Sequence, residues 1–121
     1  MVDNCEISGF YRYGITVADA KNVQIHHNYI HHIAGRDSGF AIKLDNATAD
    51  IHHNVFSRCT RLVSAAGKDT AFTFKNNLDA GNNQGQYFQF VALADYDSEY
   101  TKTRGSIASA VIENNTLLSA V

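Results

Sequence analysis

The chain has 121 residues, a formal net charge of −2, six histidines, two cysteines and neither proline nor tryptophan. That length sets a single domain with a modest core, and the absence of a long basic run leaves nucleic acid or an anionic membrane surface little to hold. No stretch approaches the roughly 18 uninterrupted apolar residues of a membrane span, and the opening "MVDNCEISGF" has neither the basic nor the apolar part of a secretory leader.

In chain order, "VDNCEI" (2–7) comes first, and the alternation in "GITV" then marks a strand over 14–18. "IHHNYI" (25–30) restates the opening frame and runs into a short strand over 29–31. "AIKL" gives a strand over 40–44, followed by "IHHNVF" (51–56), a strand over 61–65, and "FTF" leading into "FKNNLD" (74–79). "FQFV" lies in a strand over 87–93. An insertion, "ADYDSEYTKTRGSIAS" (94–109), separates it from "IENNTL" (112–117).

The five frames share one order: apolar, two polar, Asn, any residue, apolar. Asn28, Asn54, Asn77 and Asn115 hold the fourth place, with Cys5 there in the first copy. The third place reads Asn4, His27, His53, Asn76 and Asn114. The frames begin at 2, 25, 51, 74 and 112, in steps of 23, 26, 23 and 38. A period in the low twenties with β-branched and aromatic alternation is that of a β-solenoid, and three strands per turn make a triangular coil. The recurring Asn is expected at a sharp bend, taking up left-handed backbone geometry and bonding to the Asn one rung above. Rungs about 4.8 Å apart stack equivalent residues into columns.

The doubled histidines then fall into the repeat. His27 and His53 share a column with Asn4, Asn76 and Asn114, and His26 and His52 share one with Lys75 and Glu113. Adjacent strand residues point to opposite faces, so the four imidazoles are not expected to converge on one ion, and no metal site is assigned. Cys5 and Cys59 stand in apolar surroundings and read as small hydrophobes, too far apart for a bridge.

With this frame on the page, "VQIHHNYIHHIAG" and "SGFAIKLDNATADIHHNVFSRCTRLVSAAGKDTAFTFKNN" resemble the right-handed parallel β-helix proteins of the pectate-lyase-like superfamily, in particular bacterial β-helix glycoside hydrolases and polysaccharide lyases. The resemblance covers nearly the whole chain outside the insertion. It implies an all-β, right-handed parallel β-helix of about five rungs in one segment over 1–121. Such proteins run to many rungs, so the chain is expected to be an excerpt of a longer β-helix or to stack end to end on a partner. An open rung would bare several inward side chains at about 1.5–3 kcal/mol each. The resemblance also implies a parent that is secreted, periplasmic or at the cell surface, acting on a polysaccharide or oligosaccharide in a groove along one outer face, as lyase or hydrolase. The alternatives are a glycan- or protein-binding adhesive solenoid without catalysis and a purely structural fragment.

Placing Ile15, Ile42, Val63 and Val91 inward makes Thr16, Lys43, Ser64 and Ala92 an outward column, with Ala18, Asp45, Ala66 and Ala94 beside it. His32, Arg36 and Asp37 precede one strand of that face, and Arg58 and Arg61 the next. β-Elimination on a uronate needs a cation at the carboxylate and a base for the C5 proton. Resemblance to the alginate lyase and chondroitinase B group makes Lys43 the base candidate and Arg58 or Arg61 the neutraliser. Hydrolysis needs two carboxylates about 5–9.5 Å apart, for which Asp45 and Asp37 are the available pair. His32 and Arg36 would contact substrate, and Tyr96 and Tyr100 of the insertion would stack on sugar rings. Asp95, Asp97 and Glu99 offer oxygens for Ca²⁺, but their alternating spacing is not that of a ligand loop, and no cofactor is expected.

Overall fold

The protein is described by a computed structural model that covers residues 1–33, 39–81, 89–93 and 107–118, with backbone alone at 89–93. Every regular element among these residues is a β-strand. The first rung holds β1 (Val2–Asp3), β2 (Glu6–Ser8) and β3 (Tyr13–Ala18), and the second β4 (Val23–His26), β5 (Tyr29–Ile33) and β6 (Phe40–Asp45). The third holds β7 (Thr48–His52), β8 (Val55–Cys59) and β9 (Arg61–Ala66), and the fourth β10 (Ala71–Lys75), β11 (Leu78–Asp79) and β12 (Gln89–Leu93). β13 (Ser109–Glu113) and β14 (Thr116–Leu117) belong to the fifth.

Each strand pairs in parallel with its counterpart one rung away. The result is three sheets, ordered β1-β4-β7-β10-β13, β2-β5-β8-β11-β14 and β3-β6-β9-β12. The register links Val2 to Ile25, Ile25 to Ile51, Ile51 to Phe74 and Phe74 to Ile112, which are the first places of the five sequence frames. The 38-residue step is therefore one rung like the others. Chain return after the insertion is fixed by the Ala108 N–H, which donates to the Thr70 carbonyl at 2.7 Å, and Ser109 already belongs to β13.

The coil interior is a continuous stack of side chains from all three sheets, including Ile25, Ile51 and Phe74, Ile30 and Phe56, Ile42 and Val63, and Leu44 and Ala65. Phe56 and Phe74 meet with ring centroids 5.8 Å apart. Parallel strands buried on one face and solvated on the other give the period-two burial seen in β7 and β10. β6 and β9 depart from it. Ala41 and Ile42, and then Leu62 and Val63, are successive buried residues. The pairing passes from Tyr13–Phe40 to Ile15–Ile42 and from Phe40–Arg61 to Ile42–Val63, skipping one place in each strand. Gly14 sits at that place because a Cβ there would lie 2.7 Å from the Ala41 carbonyl oxygen.

The bends correct one expectation. Left-handed backbone falls on the third place of each frame, not on the fourth-place Asn: Asn4, His27, His53, Asn76 and Asn114 have φ of 53°, 55°, 54°, 55° and 54°. This turn swings the next residue inward, so Asn28, Asn54 and Asn77 are buried and their amides form the ladder between rungs. The other corners use the same device, at His32 and Arg58 between the second and third sheets and at Asp19 and Asn46 between the third and first.

Candidate functional site

The outer face of the β3-β6-β9-β12 sheet gathers part of the expected cluster. Lys43 is in register with Thr16 and Ser64, and Asp45 with Ala18 and Ala66, all pointing away from the buried Ile42, Leu44, Val63 and Ala65. The register adds two aromatic side chains that alternation alone hides. Tyr13, Phe40 and Arg61 form the preceding column. Because the strands skip a place between this column and Ile15, Ile42 and Val63, its side chains stand outside and not in the core.

The result is a stack of rings and cations along the coil axis. Tyr13 and Phe40 lie face to face, with centroids 5.6 Å apart and planes 10° from parallel. The Lys43 ammonium sits 4.8 Å from the Tyr13 centroid, and the Arg61 guanidinium 5.0 Å from that of Phe40. A ring face is negative at its centre and attracts the charged form of Lys or Arg, so both cations are held in place on a sheet. A carboxylated ring laid along this face would meet fixed positive charge, aromatic surface and the Thr16 and Ser64 hydroxyls together.

The remaining expected residues divide. Arg58 lies on β8 and His32 on β5, in the neighbouring sheet, both at corner positions of positive φ. The structure thus puts Arg61 on the sheet of Lys43 and Asp45, and Arg58 on another. Arg36, Asp37, Tyr96 and Tyr100 lie outside the described residues, as do Asp95, Asp97 and Glu99. The Asp45–Asp37 separation is among the quantities that fall there.

A second surface feature is an open groove of about 210 Å³ over β7, β10 and β13, lined by Asn22, Thr48, Asp50, Thr73 and Val111 among others. Its carboxylate is already engaged: Gln24 and Thr73 each donate to Asp50 at 2.8 Å. Those two bonds hold the Asp50 carboxyl below its ordinary value. The groove therefore presents a satisfied carboxylate beside the apolar surface of Ala49, Ala71, Phe72 and Val111.

The histidines do not obey the opposite-face expectation. At His27 and His53 the left-handed turn brings each ring back beside that of the preceding strand residue. His26 Nδ1 lies 2.8 Å from His27 Nδ1, and His52 Nδ1 2.9 Å from His53 Nδ1. The two pairs stack, His26 on His52 at 4.9 Å and His27 on His53 at 5.2 Å between centroids. All four thus share one surface, although among the described residues no three His, Cys, Asp or Glu side chains group as a metal site requires.

Among known proteins, the family model described as right handed beta helix region matches residues 1–79. No curated protein and no solved structure is a match to the chain.

Proposed function

The chain belongs to the right-handed β-helix family, and on that footing we propose that the outer face of its β3-β6-β9-β12 sheet is the substrate face of a carbohydrate-active β-helix that takes an anionic polysaccharide. The observation that carries this reading is the run of Lys43, Tyr13, Phe40 and Arg61, two stacked rings each with a cation over it, on one outer sheet face. The outward ring edges supply the apolar faces of sugars with a contact surface, and the cations held over the rings supply uronate carboxylates with partners. The pectate-lyase-like resemblance supplies the expectation of chemistry. In a lyase Arg61 neutralises the uronate and Lys43 is the base candidate; in a hydrolase Asp45 is the first carboxylate. The parent protein on this reading is secreted, periplasmic or at the cell surface. Ile112 and Leu117 of the fifth rung are exposed, and a further β-helix rung or an end-to-end partner would cover them.

The test uses alginate, pectate, glycosaminoglycans and neutral glycans, following unsaturated product and reducing ends separately. A lyase loses unsaturated product in Lys43→Ala with its fold intact, and a hydrolase is crippled by Asp45→Asn. Full activity in both variants would mean the chemistry lies on another face. A second reading, glycan binding without catalysis, is favoured by the Tyr13 ring under Lys43, which holds the ammonium as a binding cation. It predicts retention of anionic glycan on affinity gels with no turnover, and retention that survives Asp45→Asn but not Arg61→Ala.

A further inference from the structure

We propose that the paired histidines of the second and third rungs form an acid-sensitive latch, two stacked dyads that each hold one shared proton across a bend and give way when both rings of a dyad are protonated. The dyads are His26 with His27, where β4 turns into β5, and His52 with His53, where β7 turns into β8.

The geometry is that of a shared proton. In the first dyad the ring centroids are 5.1 Å apart and the two Nδ1 atoms 2.8 Å. The difference is just two ring radii, so the nitrogens meet head-on along the ring axes. The second dyad repeats this at 5.1 Å and 2.9 Å. A head-on approach suits one N–H donating to one lone pair. Two nitrogens chelating an ion aim instead at a third point beside the line joining them. One proton more on a dyad still leaves a donor and an acceptor. A second leaves two N–H groups facing each other, and the contact must open.

Stacking couples the dyads, because each ring lies within about 5 Å of its counterpart one rung away. Charged neighbours flank the dyads on the same sheet. Along the outward column run Asp3, His26, His52, Lys75 and Glu113; Lys75 and Glu113 approach to 3.9 Å, and His26 Nε2 lies 3.4 Å from the Met1 sulfur. Asp50 on β7 is bonded to Gln24 and Thr73. Burial first, then the charges of His26, His53 and His27, push His52 below its ordinary value, and Asp50 opposes them. The sign follows from linkage. Neutral His52 contributes its full stability above about pH 6.5, where it is also neutral in the unfolded chain, and that stability is lost as pH falls and the unfolded chain takes up a proton that the fold resists. Because Asn28 and Asn54 directly follow the bends, opening a dyad unsettles the ladder between rungs.

The experiment follows thermal unfolding of the whole chain from pH 8 to pH 5 for the wild type and for His27→Asn with His53→Asn. Asparagine is the residue of this column at Asn4, Asn76 and Asn114, so the left-handed turn is kept while both dyads are lost. The wild-type midpoint should fall by about 5 °C more than the variant's between pH 7 and pH 5, and the His52 imidazole should reach half-protonation below pH 6.5 by NMR. If that variant does not fold, His26→Thr with His52→Thr removes the dyads from the strand side and should flatten the profile equally. Parallel pH profiles in wild type and variant, or His52 titrating at or above pH 6.5, would overturn the latch. The His31–His32 pair, whose His31 Nε2 already meets Glu6 at 2.7 Å, is unchanged in both variants and serves as the internal reference.

Discussion

The backbone N–H and the side-chain amide of Asn28 both donate to one oxygen, Oδ1 of Asn54, each at 3.0 Å. Asn54 repeats the arrangement on Asn77 at 3.0 and 3.1 Å, and Asn77 on Asn115 at 2.9 and 3.1 Å. Each amide also donates to a strand carbonyl, Asn54 to that of Ile25 at 3.0 Å. The polar groups buried at this bend are thereby paired across rungs, and removing one member strands several others.

Asn54→Ala leaves the Asn28 N–H, the Ile25 carbonyl and the Asn77 Oδ1 short of partners, so it should cost about 3–4 kcal/mol. Asn115→Ala, in the half-buried fifth rung, should cost about 1 kcal/mol. Urea denaturation reads both, and equal small losses would mean that water replaces the ladder.

Gly14→Ala should cost about 2 kcal/mol, because the new methyl meets a backbone carbonyl that cannot move without shifting the next rung. Gly9 has φ of +81° and open space around the missing Cβ. Gly9→Ala should cost only the backbone penalty of about 1 kcal/mol. Equal values would show that the close approach at Gly14 relaxes.

The two thiols should differ sharply in reactivity. Cys59 is buried against the interior, and desolvation pushes its thiol up to about 12; Cys5 is exposed. An alkylating reagent at pH 8 should label Cys5 alone in the folded chain and both in denaturant, since only the thiolate reacts. Mass analysis showing equal labelling without denaturant would contradict the burial of Cys59 at the end of β8.

Tyr13→Ala should release Lys43 from its ring and weaken anionic-glycan retention by about threefold, in line with an exposed cation–π contact of about 0.5–1 kcal/mol. In a double-mutant cycle with Lys43→Ala the two losses should not add. Additive losses would separate the ring from the cation.

Much of the coil could be read from the sequence, because strand pairing at a fixed period leaves the same residue classes at the same places. Ile25, Ile51 and Phe74 announce the register by themselves. What escaped were the local departures from extended backbone. The recurring Asn invites the left-handed turn, since Asn both tolerates it and hydrogen-bonds well, yet the turn falls to whichever residue stands before that Asn, His27 and His53 included. The histidine dyads escaped for the same reason, because opposite-face alternation holds only on an extended chain. Alternation hides Tyr13 and Phe40 because the skipped place at Gly14 and Ala41 displaces them from the inward phase. Lys43 and Asp45 fall on the outer face as alternation predicts because they lie within regular pairing, whereas Arg61 shares the displaced column of Tyr13 and Phe40.

The step from Asn77 to Asn115 spans 38 residues, yet its hydrogen bonds match those made across 23 and 26. Register at that corner is set by what the two amides find in space, and the length of chain between them does not enter. The connection before β13 is therefore a port where segments of different length and character can be spliced in without disturbing the helical pitch. New surface chemistry can be acquired there while the coil beneath it stays the same.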